Sequence, residues 1–141
     1  MKYLVKLNLA SIILALPVFA ATELIGNALR ISRITGWEYG KVERSVTLIN
    51  IAGFLLTGIL IVYLTRRILG NRRIAMITSL LWFAYFSLFV YLFAALFPMT
   101  VHEDKPTPVT GLIFIGILIL HFLYLAIVQA CSIFLTVRED D

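Results

Sequence analysis

Four long runs of apolar residues dominate this sequence, and each is long enough to cross a lipid bilayer as a helix. The runs cover Leu4–Leu29, Val46–Leu64, Ile74–Phe97 and Val109–Val137. A helix of about 20 apolar residues spans the roughly 30 Å hydrocarbon core of a bilayer. A membrane-spanning strand instead alternates in polarity over about ten residues, and none of the four runs alternates. The sequence therefore predicts an all-α integral membrane protein.

The connections between the runs are short, and this predicts how the helices are arranged. They cover Arg30–Ser45, Thr65–Arg73 and Pro98–Pro108. Helices joined by short connections become antiparallel neighbours. Hydrophobic residues make up 61% of the chain and charged residues 14%, whereas a soluble domain has about 25% charged residues. We predict that residues 1–141 form a single domain, a four-helix up-down transmembrane bundle with short loops.

The first apolar run begins like a secretory signal. Lys2 and Lys6 form a basic start, an apolar core follows, and Val18–Ala20 has the small-residue pattern of a cleavage site. The apolar run nevertheless continues beyond that pattern to Leu29. We therefore expect an uncleaved first span.

The distribution of lysine and arginine predicts the orientation of the spans. With the N-terminus inside, seven of these residues lie on the inner side and five on the outer side. The connection Thr65–Arg73 contains four arginines and no acidic residue, whereas each of the other two connections contains acidic residues. We predict that both termini are cytoplasmic and that the membrane is a bacterial-type plasma (inner) membrane. The basic residues are divided among the loops and form no stripe, so we predict no nucleic-acid partner.

Glu23 is an ionisable residue inside the first apolar run. A charged group at the centre of a bilayer costs roughly 3 kcal/mol on insertion scales. Asn27 lies one turn later on the same helix face, and Asn50 lies near the start of the second run, on the same predicted side of the membrane. We expect Glu23, Asn27 and Asn50 to form an intramembrane polar cluster. Such a cluster either responds to protons or cations, contacts a partner subunit, or supplies interhelical hydrogen bonds worth about 0.6–2 kcal/mol each.

The stretch Glu23–Leu29, with Glu23 and Gly26, is similar to the first-helix signature of small multidrug resistance transporters. The resemblance implies a four-span protein whose membrane-embedded glutamate exchanges protons for a cationic drug. It covers only this stretch, and the third run lacks the small-residue, tryptophan-bearing pattern of that family.

Two further groups of residues are candidates for contacts with a cofactor or a partner. His121 lies in the middle of the fourth run with Tyr124 one turn later, and a buried neutral imidazole can ligate haem iron or line a quinone pocket. The third run carries aromatic residues at helical spacing on one face, which predicts a contact ridge against a helix, a cofactor or another chain. The ridge consists of Trp82, Phe86, Phe89, Phe93 and Phe97.

Residues suited to catalysis or metal binding are nearly absent from the sequence. It has no nucleophile–base pair, no glycine-rich phosphate loop and no Cys/His zinc spacing. We predict a non-enzymatic integral membrane subunit of a larger complex, with no metal or cofactor of its own, that contributes helix packing and a lipid or cofactor environment. Its expected partners are membrane lipids and other transmembrane subunits, or further copies of itself.

Two other functions remain open on the sequence alone. The first is a small proton-coupled multidrug-type transporter that acts as an oligomer through Glu23. The second is a quinone- or haem-associated membrane anchor of a respiratory complex that uses His121. The resemblance around Glu23 favours the first alternative, and the single histidine within the apolar runs favours the second.

Overall fold

The computed structural model describes residues 2–70 and 73–137, with side chains as far as residue 134. These residues form five α-helices and no strand, which confirms the predicted all-helical class. The helices are α1 (Lys2–Gly26), α2 (Ala28–Thr35), α3 (Tyr39–Tyr63), α4 (Thr78–Leu96) and α5 (Pro108–Val137). A π-helical turn (Leu64–Ile68) follows α3, and 3₁₀ turns (Arg73–Ile77 and His102–Asp104) precede α4 and α5. Helices α1, α3, α4 and α5 are long and apolar enough to cross a membrane.

The first apolar run is divided into two helices at Asn27. Gly26 and Asn27 both have low helix propensity, and the Asn27 side-chain Nδ2 donates a hydrogen bond to the Glu23 backbone carbonyl at 2.9 Å. Asparagine side chains that bond to nearby backbone groups compete with regular helix. The predicted span Leu4–Leu29 therefore ends at Gly26 as a regular helix, and the polar connection after it is largely helical.

Helix α1 is the central helix of the fold. It contacts α3, α4 and α5, most extensively α4. Small residues on its buried face, Ala10, Ser11 and Ala15, are at most 1% exposed. Small residues let neighbouring helices approach closely, so the backbones of these helices come into van der Waals contact.

Tyr124 of α5 packs closely against α3. Its ring stacks on Phe54 with ring centroids 4.3 Å apart, and its hydroxyl donates to the Phe54 carbonyl at 3.3 Å. A Cβ atom added at Gly58 would collide with the Tyr124 hydroxyl. Glycine at this position therefore allows α3 and α5 to pack through Tyr124.

Buried polar side chains join α4 to α5, and half-buried ones join α4 to α1. Gln129 of α5 is fully buried. The Ser79 hydroxyl donates to its Oε1 at 2.6 Å, and its Nε2 donates to Thr78 Oγ1 at 2.5 Å. Tyr85 of α4 donates its hydroxyl hydrogen to Asn8 Oδ1 of α1 at 2.5 Å. The α4–α5 pair and the α4–α1 pair thus each have side-chain hydrogen bonds in addition to apolar contact.

Candidate functional site at the Glu23 cleft

An open cleft of about 500 Å³ lies beside the junction of α1 and α2 and the end of α4. We call it the Glu23 cleft. Its lining consists of Ala20, Glu23, Leu24, Asn27, Arg30, Ile31, Ile34, Phe93 and Phe97. Most of this lining is aliphatic or aromatic, and the cleft presents an almost entirely apolar surface.

Glu23 and Asn27 are hydrogen-bonded to each other at the cleft. Asn27 Nδ2 donates to Glu23 Oε2 at 3.0 Å as well as to the Glu23 backbone carbonyl. Asn27 is only 7% exposed, and its Oδ1 has no hydrogen-bond partner in the described part of the chain. Exchanging the amide nitrogen and oxygen would place an oxygen against two other oxygens. The amide orientation is therefore fixed, and its oxygen remains an unused acceptor.

Arg30 supplies a positive charge to the same cleft. Its Nη1 donates to the Phe97 backbone carbonyl at 3.1 Å, which joins α2 to the end of α4. A guanidinium has five N–H donors, and this contact uses one of them. The ion pair between described residues is Arg33 with Asp104, and Glu23 and Arg30 line one cleft without pairing with each other.

The predicted polar cluster is brought together only in part. Glu23 and Asn27 meet, as described above, whereas Asn50 of α3 takes part in none of the side-chain hydrogen bonds of residues 2–70 and 73–134. Asn50 is half-buried and lies one turn before Gly53, where an added Cβ would meet open space. The amide of Asn50 is therefore left at a thinly covered surface of α3.

His121 and Tyr124 contact different helices. The His121 ring lies edge-on to Trp82 of α4, with centroids 4.7 Å apart, and its Nε2 is buried without a hydrogen-bond partner among the described residues. Tyr124 packs against α3 instead. The other histidine, His102, is exposed in the turn before α5. The predicted cofactor contact at His121 remains a prediction.

The aromatic ridge of α4 turns mostly toward the rest of the chain. Trp82 and Phe86 are buried, and Phe89 and Phe93 contact Phe19 of α1 at ring-centroid distances of 5.6 and 6.0 Å. Phe97, at the end of the ridge, is 52% exposed and lines the Glu23 cleft. The ridge therefore packs against His121 of α5 at Trp82 and against α1 at Phe89 and Phe93, and its last two rings line the cleft.

Arg33 and Asp104 join α2 to the turn between α4 and α5. Arg33 Nε donates to Asp104 Oδ1 at 3.1 Å and Nη2 donates to Oδ2 at 2.5 Å. The carboxylate is almost fully buried, whereas the guanidinium is half-exposed. The hydrogen bonds from Arg33 lower the pKa of Asp104 below its ordinary value, and its carboxylate raises the pKa of Arg33.

We predict that Asp104→Asn lowers the midpoint of thermal unfolding at pH 7. A carboxylate with a lowered pKa in the folded state contributes stability above its ordinary pKa of about 3.9, and that stability is lost as the pH falls through the lowered value. The difference between Asp104→Asn and the parent should therefore shrink between pH 7 and pH 3. The exposed neighbour Glu103, changed to glutamine, serves as the control. An unchanged difference at pH 3 would show that charge at Asp104 contributes nothing.

Sequence analysis missed three polar contacts that position the helices. They are Arg33 with Asp104, Asn8 with Tyr85, and Gln129 with Thr78 and Ser79. The available signal was an amide side chain within an apolar run, at Asn8 and Gln129, because polar groups inside such runs pair with other groups. The partners themselves are distant in sequence and carry no signal of their own.

The Glu23 cleft brings Glu23, Asn27 and Arg30 together among apolar residues, but the surface that it exposes is almost entirely apolar. Its walls therefore suit hydrocarbon. No protein-family model, no curated protein and no solved structure matches this chain.

Proposed function

We propose that this chain is a non-enzymatic integral membrane subunit of a larger membrane protein complex. In this proposal α1, α3, α4 and α5 cross the bilayer in alternating directions, with both termini cytoplasmic. The wide apolar surface of the long helices supports membrane insertion. In the most apolar window of α1, 33% of the residues are buried, but only 11% are buried in that of the last helix. An apolar surface this extensive needs lipid or other apolar helices around it.

The observation that carries the proposed role as a subunit is the amide of half-buried Asn50, which has no hydrogen-bond partner among the described residues. A polar side chain inside a membrane span normally pairs with another group, and small residues beside it let a neighbouring helix approach. Asn50 has no hydrogen bond within the described chain, and Gly53 beside it has open space above its Cα. We expect a transmembrane helix of another subunit to cover this surface, with a polar side chain that bonds to Asn50.

We predict that Asn50→Leu weakens assembly of the complex by about tenfold, since one interhelical hydrogen bond contributes about 1–2 kcal/mol. The measurement is the composition and mass of complexes purified from native membranes in mild detergent. Ser87→Leu is the matched control, because Ser87 is an exposed serine on α4 whose hydroxyl donates to the Phe83 carbonyl of its own helix. Equal assembly of the two variants, or complexes that contain this chain alone, would contradict the proposal.

We predict the orientation from the arginine-rich connection between α3 and α4. In a chain without Cys131, a cysteine at Thr107 should react with an impermeant reagent from outside. A cysteine at Asn71, which lies outside the described residues, should react only after permeabilisation. The four arginines of that connection are expected to remain cytoplasmic. The reverse labelling pattern would exclude this orientation.

A further inference from the structure

We propose that a groove at the end of α3 binds the phosphate of an anionic phospholipid. The groove has a volume of about 590 Å³, and its lining consists of Gly58, Ile59, Val62, Tyr63, Arg66 and Arg67. We call it the Arg67 groove. The lipid site rests on the proposed membrane insertion but not on the subunit role. It is tested on the chain alone in detergent, so the lipid site and the subunit role can fail separately.

The Arg67 groove is positively charged and has no acidic group to balance that charge. Arg66 and Arg67 are both exposed, and no acidic residue of the described chain lines the groove. The ion pair between described residues is Arg33 with Asp104, which lies elsewhere. The planar guanidinium of arginine can donate two parallel hydrogen bonds to phosphate oxygens. Two adjacent guanidiniums therefore favour an anionic lipid over a zwitterionic one, whose ammonium they would repel.

The π-helical turn after α3 presents both arginines on the outside of the helix. The Leu69 N–H donates to the Leu64 carbonyl at 2.9 Å, the hydrogen bond of a π-turn, which is frequent at functional sites. Both leucines are buried, whereas the two arginines between them are exposed. Arg66 Nε donates to Ser132 Oγ of α5 at 3.2 Å, and Arg67 makes no hydrogen bond among the described residues. An anion would therefore meet one guanidinium that is held in position and one that is free.

The other end of the Arg67 groove is apolar. Gly58, Ile59 and Val62 lie one to two turns before the arginines, within the apolar run Val46–Leu64. Ile59 and Tyr63 are exposed there, so the groove continues over surface that an acyl chain can cover. In the proposed orientation the arginines lie at the cytoplasmic membrane interface, where anionic headgroups attract basic residues. A soluble phosphate would contact only the polar end of the groove.

The test is native mass spectrometry of the purified full chain in detergent, with equal amounts of dioleoyl phosphatidylglycerol and dioleoyl phosphatidylcholine. We expect the glycerol lipid to be retained about tenfold more strongly, because the two lipids share the phosphate and acyl chains and only choline adds a positive charge. Arg67→Gln should reduce this preference about fivefold, which corresponds to about 1 kcal/mol for one arginine near an anionic headgroup. Arg67→Lys keeps the charge and should keep most of the preference.

Matched controls are arginines outside the groove. Arg73 is exposed on the same predicted side of the membrane, and Arg44 is exposed near the start of α3. Arg73→Gln and Arg44→Gln should leave the preference unchanged. Equal retention of the two lipids, or an unchanged preference in Arg67→Gln, would overturn the proposal. Equal losses in Arg67→Gln and Arg73→Gln would also overturn it, because positive charge anywhere on that side would then explain the preference.

Two further measurements identify what occupies the arginines. Inorganic phosphate and soluble glycerophosphoglycerol should compete poorly with the lipid. If either competes as well as the lipid does, the ligand is a soluble phosphate and the lipid proposal is wrong. The acidic residues Glu139, Asp140 and Asp141 lie outside the described residues. The combined variant Glu139→Gln, Asp140→Asn, Asp141→Asn should show the same preference as the parent. A preference found only in that variant would mean that these acids, and not a lipid, occupy the groove.

Discussion

Replacing Trp82 by alanine is expected to lower the free energy of unfolding by about 3 kcal/mol, the lower end of the range for large aromatic residues in soluble cores. Trp82 is 2% exposed and contacts Phe86 and His121, and its Nε1 donates to the Ser79 carbonyl at 2.9 Å. Its removal leaves a cavity where α4 meets α5. In a bilayer this loss is mainly one of van der Waals contact, because lipid is as apolar as the protein interior.

The measurement is reversible unfolding of the detergent-solubilised chain, with Phe83→Ala as the matched control. Phe83 is adjacent in sequence but 52% exposed, so its truncation should change stability by about 0.5 kcal/mol or less. Trp82→Phe should lie between the two variants. Equal effects of Trp82→Ala and Phe83→Ala would mean that this face of α4 does not hold the helices together.

Replacing Gln129 by leucine is expected to lower stability by about 1–2 kcal/mol, the range for buried hydrogen bonds and unsatisfied groups. The change removes the acceptor of the Ser79 hydroxyl and the donor to Thr78. Thr78 still donates to the Ala75 carbonyl at 2.8 Å, but Ser79 loses the one partner that its hydroxyl has among the described residues. The cost therefore arises chiefly from the orphaned serine.

A double-mutant cycle can measure how much of the lost stability comes from the orphaned Ser79 hydroxyl. Ser79→Ala added to Gln129→Leu removes the orphaned hydroxyl, so the double variant should be more stable than the sum of the single effects by about 1 kcal/mol. Ser87→Ala, on the exposed side of α4, is the control for loss of a serine hydroxyl. Strict additivity of the Gln129 and Ser79 effects would show that the two side chains do not interact.

The four uninterrupted apolar runs of the sequence predict the long helices well, because the length of each run sets the length of its helix. Helix α5 begins at Pro108, one residue before the predicted start of the fourth run, since proline fits the first helical turn. The start of α3 at Tyr39 was not predicted. That first part of α3 is polar, and Val42 and Val46 pack against Ala28 of α2, a contact that depends on the break at Asn27.

The candidate site was predicted less completely. Glu23 and Asn27 were expected to meet because their spacing on one helix fixes their distance. Arg30 and Phe97 meet across the fold, and nothing local in either sequence stretch specifies that contact. The burial of Gln129 could not be predicted from its neighbours in the sequence either, because it depends on which face of α5 packs against α4.

The central position of α1 has a consequence for the order in which the chain is assembled. This helix precedes the other four in the chain, yet α4, with which it has its most extensive contact, emerges only after α2 and α3. Two of its side-chain donors bond to its own backbone and need no other helix, since Ser11 donates to the Leu7 carbonyl at 2.9 Å and Asn8 Nδ2 to the Leu4 carbonyl at 2.8 Å. In the proposed membrane setting, the Ser11 hydroxyl and the Asn8 amide nitrogen therefore already have an acceptor before α4 is present. The Asn8 side-chain oxygen receives its donor, the Tyr85 hydroxyl, only when α4 arrives.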